Sequence, residues 1–236
     1  MLLVLLFVLL LVMGLPIAYV LAAVAIVGIM SLGNVPLITV VQRMFNGLNS
    51  FTLLAVPLFI MAANLMNRGK ISEKLIEFCA SLVGHISGGL GYANVLVSML
   101  FAGISGSSQA DTAGIGKILI PGMIEEGFSE ETSVGVTAAS STIGIIIPPS
   151  IPMVVYSSVA NASIGALFLG GVVPGILIGC GQMAIVYIAS RIHHYPKRPR
   201  ATLKQILHLA FVNFPSLFAP VIIVGGVLAG ICTATE

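Results

Sequence analysis

Charge is scarce in this 236-residue chain: 8% of its side chains are Asp, Glu, Lys or Arg, against roughly 25% in a soluble domain. So few charges cannot cover a water-facing surface, which excludes most cytosolic enzymes, nucleic-acid binders and secreted scaffolds. Tryptophan is absent, leaving any interfacial aromatic belt to Tyr and Phe. The three cysteines, Cys79, Cys180 and Cys232, are far apart, odd in number and without metal-ligand spacing, which argues against a disulfide framework. No HExxH, Walker A or dinucleotide-binding glycine pattern occurs. What fills the chain is apolar, with 58% hydrophobic residues and a mean hydropathy of +1.11. This is the composition of an integral membrane protein, and its long apolar runs predict an all-α one.

A crossing helix needs about 20 mostly apolar residues. Met1 to Met30 carries no charge and is too long for one untilted crossing. No Lys or Arg precedes it, so it does not read as a cleaved signal. Gly14 and Pro16 interrupt it, giving either one kinked helix or two short passes. Phe51–Leu65 is the next apolar stretch. Ser72–Leu82 mixes Leu75, Ile76, Phe78, Cys79 and Leu82 with Glu73, Lys74 and Glu77 at helical spacing, which predicts an amphipathic helix lying in the membrane interface, capped by Ser72. Leu90–Phe101 and Gln109–Ile120 are half-length stretches around the small, polar Gly103–Ser108, the pattern of a re-entrant hairpin. A helix capped by Ser129 runs from Thr132 to Ile143 and breaks at Gly144–Pro152, where three prolines fall within five residues. Ser163–Ala189 is a full span. Gly171, Gly175 and Gly179 recur along it every fourth residue, a smooth face for close helix approach. Phe214–Gly230 is the last span.

Arg191, Lys197, Arg198, Arg200 and Lys204, with His193 and His194, form the one strongly basic stretch, and short basic loops stay in the cytoplasm. Counting spans backwards from it also places Arg68, Lys70 and Lys74 inside, and leaves Asn34–Asn49 outside with Arg43 as an exception. The two basic clusters agree on one orientation.

Two interruptions at membrane depth suggest an ion or substrate site. Helix N-termini offer N–H groups to anions, and unwound carbonyls offer oxygens to a small cation. Ser105, Ser107, Ser108, Ser141 and Thr142 add hydroxyls; the plainer reading is a kinked bundle in which Ser and Gly only pack. Asp111 is the one carboxylate deep in an apolar stretch, which marks it as a functional candidate. Ser108-Gln109-Ala110-Asp111 also fits a capping box, so ion binding and capping both stand. Lys117 reads as a snorkelling side chain. All five arginines flank spans, as do His85, His193, His194 and His208, leaving no buried guanidinium to clamp an anion. Gly103-Ile104-Ser105-Gly106 is similar to the Gly-x-Ser motif of rhomboid proteases, but no histidine lies in a later span to activate Ser105.

Longer motifs are more specific. Phe101–Ser107 with Ala110-Asp111, Ala138–Gly144, and Ile147–Met153 resemble the large membrane subunit of tripartite ATP-independent periplasmic (TRAP) transporters of the dicarboxylate type. Gly14–Ala18, Pro57–Ile60, Met66–Gly69, Ile164–Phe168, Pro174-Gly175 and Gly225-Gly226 extend the resemblance along the whole chain. The resemblance implies a transporter, not an enzyme: a bacterial inner-membrane permease that imports an organic acid of the C4-dicarboxylate, sialic acid or sugar-acid class. Sodium would be the coupling ion, with no other cofactor. Its partners would be a periplasmic substrate-binding protein and a small four-helix membrane subunit, with no nucleic acid. The implied architecture is the first inverted repeat of an elevator-type transporter.

On this chain that means scaffold helices in 1–69, an interfacial arm in 70–86, half of the transport domain in 87–162, a transmembrane helix in 163–190, a basic loop in 191–213 and the first helix of a second repeat in 214–236. The first sodium site would draw on Ser105, Ser107 and Gly144, and the sodium and substrate wall on Gly103, Gly106, Ser108, Asp111, Ser141, Thr142 and Pro148. The family scheme also implies two passes in Met1–Met30. Ile145 and Ile146 stand where relatives often have proline, implying a shorter unwound segment. Thr233–Glu236 reads as the start of a further motif, so the expectation is a fragment or truncated product that does not transport alone. A sodium/dicarboxylate symporter without a binding protein, and a non-transporting membrane scaffold, are the alternative readings.

Overall fold

Gly14 answers the question left by the first apolar run. In the computed structural model its φ is +77°, a left-handed conformation that an L-side chain resists. The run divides there into helices α1 (Leu2–Val12) and α2 (Ile17–Leu32). The two pack together closely enough that a Cβ on Gly28 would lie 3.3 Å from Leu3 Cδ1. At 1.5 Å per residue, α1 rises only about 17 Å, so it is shorter than the ~30 Å hydrocarbon layer.

The stretch between the first two apolar runs, where the sequence reading assigns no helix, contains helix α3 (Ile38–Leu48). Val41, Met44, Phe45 and Leu48 make one exposed apolar face, a pattern that the interspersed Gln42, Arg43 and Asn46 obscured. These helices belong to one compact unit, Met1–Ser50, and the remaining helices to a second, Phe51–Glu236.

The structure describes residues 1–33, 35–69, 71–233 and 235, without the side chains of Asn67 and Arg68. Outside the described residues lie Asn34, Lys70, Ala234 and Glu236, and with them part of the charge pattern at Arg68 and Lys70 and of the motif at Thr233–Glu236.

The second unit is helical throughout, with no strand among the described residues. A 3-10 turn, Phe51–Leu54, leads into α4 (Ala55–Arg68). Helix α5 (Ile71–Val83) begins before Ser72, so Ser72 sits inside the first turn and is not the predicted cap. Helices α6 (Gly89–Ser105) and α7 (Ser108–Glu125) follow. They are not half-length: 17 and 18 residues rise about 25 Å each. Only Gly106 and Ser107 separate them, because the small residues Gly103 and Ser105 are buried within α6 and continue it.

Helix α8 (Glu130–Ser141) starts where expected, with Ser129 Oγ accepting from Thr132 N–H at 3.1 Å. A 3-10 turn over Thr142–Ile145 and an irregular stretch separate it from α9 (Ile151–Ala160). Pro152 therefore lies in the first turn of α9, where a proline costs nothing, and is not part of the break. Helix α10 (Ile164–His193) is long and apolar enough to cross a membrane alone. It runs four residues past the predicted end, bringing Arg191 and His193 into its last turn, where positive charge complements the helix dipole.

The basic loop is also partly helical. Thr202 and Gln205 form a capping box at the start of α11 (Leu203–Val212), followed by α12 (Phe214–Leu228). The two meet at a 55° bend. Asn213 at that bend is buried and donates to Lys74 O at 3.2 Å, which ties the bend to α5.

Leu75, Ile76 and Cys79 of α5 pack with Leu90, Val97 and Phe101 of α6 and Ile115, Leu119 and Met123 of α7 to make the main core. A second cluster joins Ala55 and Phe59 of α4 to Val154 of α9 and Phe168 of α10. Between them, the glycines of α10 face the break. A Cβ at Gly171 would collide with Ile146 O, one at Gly175 with Ile147, and one at Gly179 with Met99 of α6. The four-residue glycine spacing is what lets α10 approach this closely.

Candidate functional site

The end of α6 and the break after α8 meet at Gly106. Its φ of +61° closes α6. Its carbonyl accepts from Ile151 N–H at 3.2 Å, and a Cβ there would lie 2.9 Å from Pro149 O. Ser150 secures the other side, donating to Ile145 O at 2.7 Å while capping α9 through Met153 N–H. Ser150 was not among the predicted site residues; its position before an apolar run was the cap signal that would have found it.

Asp111, the chain's one aspartate, lies in this junction. The capping box expected for Ser108–Asp111 does not form. The cap is Ser107, whose Oγ accepts from Ala110 N–H at 3.4 Å, so the third helical position falls on Ala110, and the Asp111 carboxylate is left to turn inward. Ser105 Oγ donates to Asp111 Oδ1, and Ser107 N–H donates to Ser105 Oγ at 3.2 Å. Asp111 Oδ2 is buried with no hydrogen-bond partner among the described residues. It lies over the α-carbon of Gly144, where a Cβ would collide with it and would also lie 3.5 Å from the Ser107 carbonyl carbon.

The structure thus brings Ser105, Gly106, Ser107, Asp111 and Gly144 together. Gly103 lies one turn away, beneath Pro220 of α12 with Pro148 O 3.6 Å from its Cβ position. The other three predicted hydroxyls point elsewhere. Ser108 Oγ pairs with Gln109, Ser141 Oγ donates to Thr137 O at 2.7 Å, and the exposed Thr142 to Ala139 O at 2.7 Å.

A buried carboxylate oxygen without a donor is unfavourable unless a proton or cation meets it. No three His, Cys, Asp or Glu side chains come together among the described residues. The oxygens on offer are one carboxylate, hydroxyls and backbone carbonyls, a donor set suited to a hard cation.

A polar ladder behind the site joins α6 to α8. Asn94 donates to Thr137 Oγ1 at 2.7 Å, Ser98 to Ser140 Oγ at 2.9 Å, and Ser140 to Asn94 Oδ1 at 3.2 Å. All four residues are fully buried. Asn94 and Ser98 are one turn apart on α6, as are Thr137 and Ser140 on α8, and that repeated spacing was the available sequence signal.

Residues 3–236 match the family model of the tripartite ATP-independent periplasmic transporter, DctM component. The chain belongs to this family. It is 40% identical over 223 residues to the sialic acid TRAP transporter large permease protein SiaM of Vibrio cholerae, covering 94% of this chain and 52% of that protein. The C4-dicarboxylate TRAP transporter large permease protein DctM of the same organism is 42% identical over 226 residues, covering 95% and 50%. An isethionate TRAP transporter permease, DctMQ of Oleidesulfovibrio alaskensis, is 40% identical over 231 residues, covering 98% and 36%. The chain spans about half the length of the first two of these relatives. The end of α6 and the Pro-Pro break both lie within the residues that match the DctM family model.

Proposed function

We propose that this chain contributes one half of a sodium and organic-acid site to the large permease subunit of a TRAP transporter. The observation that carries the reading is Asp111 Oδ2, buried and unpartnered over Gly144. A sodium ion between the end of α6 and the break would meet that oxygen together with hydroxyl and carbonyl oxygens of Ser105 and Ser107. The ion's charge and the start of α9 would then favour the carboxylate of a C4-dicarboxylate, sialic acid or sugar acid. The relatives named above for sialic acid, C4-dicarboxylate and isethionate support the organic-acid class.

In this reading α6 to α9 move as one body in an elevator-type cycle, and the polar ladder between α6 and α8 supports their rigidity. A periplasmic binding protein delivers the substrate, and a small four-helix subunit braces the scaffold. The basic residues after α10 face the cytoplasm of the bacterial inner membrane.

The test is uptake by the full transporter, with binding protein and small subunit, in proteoliposomes. An inward sodium gradient should drive accumulation. Accumulation driven by a pH gradient and indifferent to sodium refutes the reading.

A further inference from the structure

A second charged site lies away from the Asp111 junction, at the C-terminal end of α10. A cleft of about 470 Å³ opens there between α10, the segment entering α6, and the chain leaving α10. Its walls are held in place. Ser87 Oγ donates to Tyr195 O at 2.6 Å, Gly88 N–H donates to Pro196 O at 3.3 Å, and Phe128 stacks on Tyr195 with ring centroids 3.8 Å apart. Gly88, at φ +75°, leaves room for the Ser190 hydroxyl, which a Cβ would strike.

Arg191, His194 and Lys197 line this cleft. The one ion pair among the described residues is Arg198 with Glu126, so no carboxylate neutralises Arg191 or Lys197 there. Arg191 Nε donates to the Tyr187 hydroxyl at 3.2 Å, with the guanidinium 5.5 Å from the ring centroid. That contact engages Nε and leaves the terminal N–H groups for a phosphate. The end of α10 opposes an anion with roughly half a negative charge; two full positive charges outweigh it.

The cleft is also partly apolar. Ile86 lines it, and Tyr187, Ile188 and Ile192 are 49%, 57% and 66% exposed beside it on α10. Basic groups at the end of a membrane-crossing helix, next to exposed isoleucines, match a phosphate head attached to acyl chains. We propose that this cleft binds the phosphate group of an anionic phospholipid. The proposal does not depend on the sodium reading of Asp111.

The test uses the full transporter purified in detergent. Phosphatidylglycerol, phosphatidylcholine and inorganic phosphate are titrated separately, and binding is read by native mass spectrometry and thermal unfolding. Phosphatidylglycerol is expected to bind and raise the melting temperature, while phosphatidylcholine and inorganic phosphate have little effect. Lys197→Gln, at an exposed position, should weaken phosphatidylglycerol binding about 5-fold, and Arg191→Gln with Lys197→Gln about 30-fold. Arg200→Gln, outside the cleft, should leave it unchanged. Equal binding by the double variant, equal loss in Arg200→Gln, or equal stabilisation by phosphatidylcholine overturns the site. Saturation by inorganic phosphate at matching concentrations makes the ligand a soluble phosphate and overturns the lipid assignment.

Discussion

Gly144→Ala is the smallest perturbation that reaches the Asp111 junction. The added Cβ would lie closer than 3.0 Å to Asp111 Oδ2 and 3.2 Å from Asp111 Cγ. The methyl group sits on a backbone turn and cannot yield, so the carboxylate must swing away by about an ångström, roughly the difference between a sound hydrogen bond and none. That movement breaks the Ser105 contact and carries Oδ2 out of its place. Losing one buried polar partner costs on the order of 1–3 kcal/mol, or roughly a 5- to 150-fold rise in the sodium concentration for half-maximal uptake.

The assay is sodium-dependent uptake by the reconstituted full transporter, with expression and melting temperature measured in parallel. Gly135→Ala is the matched control. It lies inside α8 with nothing within 4 Å of its Cβ position, and replacing helical glycine by alanine should stabilise by roughly 0.5–1 kcal/mol. Wild-type sodium dependence in a well-folded Gly144→Ala protein would refute the assignment of this junction to the ion.

Four further outcomes follow from the geometry. Asp111→Asn, measured in the same assay, should raise the sodium requirement more than Ser107→Ala, because it removes a charge where the serine change removes a helix cap and one hydroxyl oxygen; the reverse order would make Asp111 structural. Thr137→Val deletes the acceptor for the Asn94 amide and should lower stability by about 1–3 kcal/mol, read as a melting temperature, with little change in the sodium requirement. Burial pushes the Cys79 thiol up to about 12, so at pH 8 it stays protonated; as the sole cysteine it should resist a maleimide in the folded protein and react after denaturation. Single cysteines placed at Asn46 and Arg200 in a cysteine-free background should be labelled by an impermeant reagent in intact cells at position 46 and not at 200, and the opposite pattern inverts the orientation.

Apolar runs and proline clusters located most of the helices, since a long uncharged stretch and a Pro-Pro pair have few other solutions. Polarity was the weaker guide. It hid α3 and α11, whose apolar faces are interleaved with Arg43, Asn46, Lys204 and Gln205. It also exaggerated the loop between α6 and α7, because Gly103 and Ser105 look like loop residues in sequence. Packing decides otherwise: Gly103 sits beneath Pro220, and Ser105 satisfies its hydroxyl on Asp111. A one-residue shift of the cap from Ser108 to Ser107 then changes what Asp111 does, from reaching back to its own helix to facing Gly144. Local spacing could not settle that, because Gly144 and Pro149–Ile151, which lie against this turn, are distant in the chain.

The glycines of α10 show the same division between what a sequence marks and what only a fold explains. Their four-residue spacing marks a smooth face, and nothing in that spacing names the partner. The partner is chiefly the break itself: Gly171 admits the Ile146 carbonyl and Gly175 admits Ile147, while Gly179 admits Met99 from α6. Helix α10 therefore backs the irregular segment on one side while Gly106 and Asp111 meet it on the other. An irregular backbone stretch in an apolar setting needs every polar group matched. Here Ser150 serves Ile145 O, Gly106 O takes Ile151 N–H, and Gly171 and Gly175 of α10 pack against Ile146 O and Ile147. At this junction Asp111 Oδ2 is, among the described residues, the buried side-chain oxygen without a partner, and the sodium proposal rests on that oxygen.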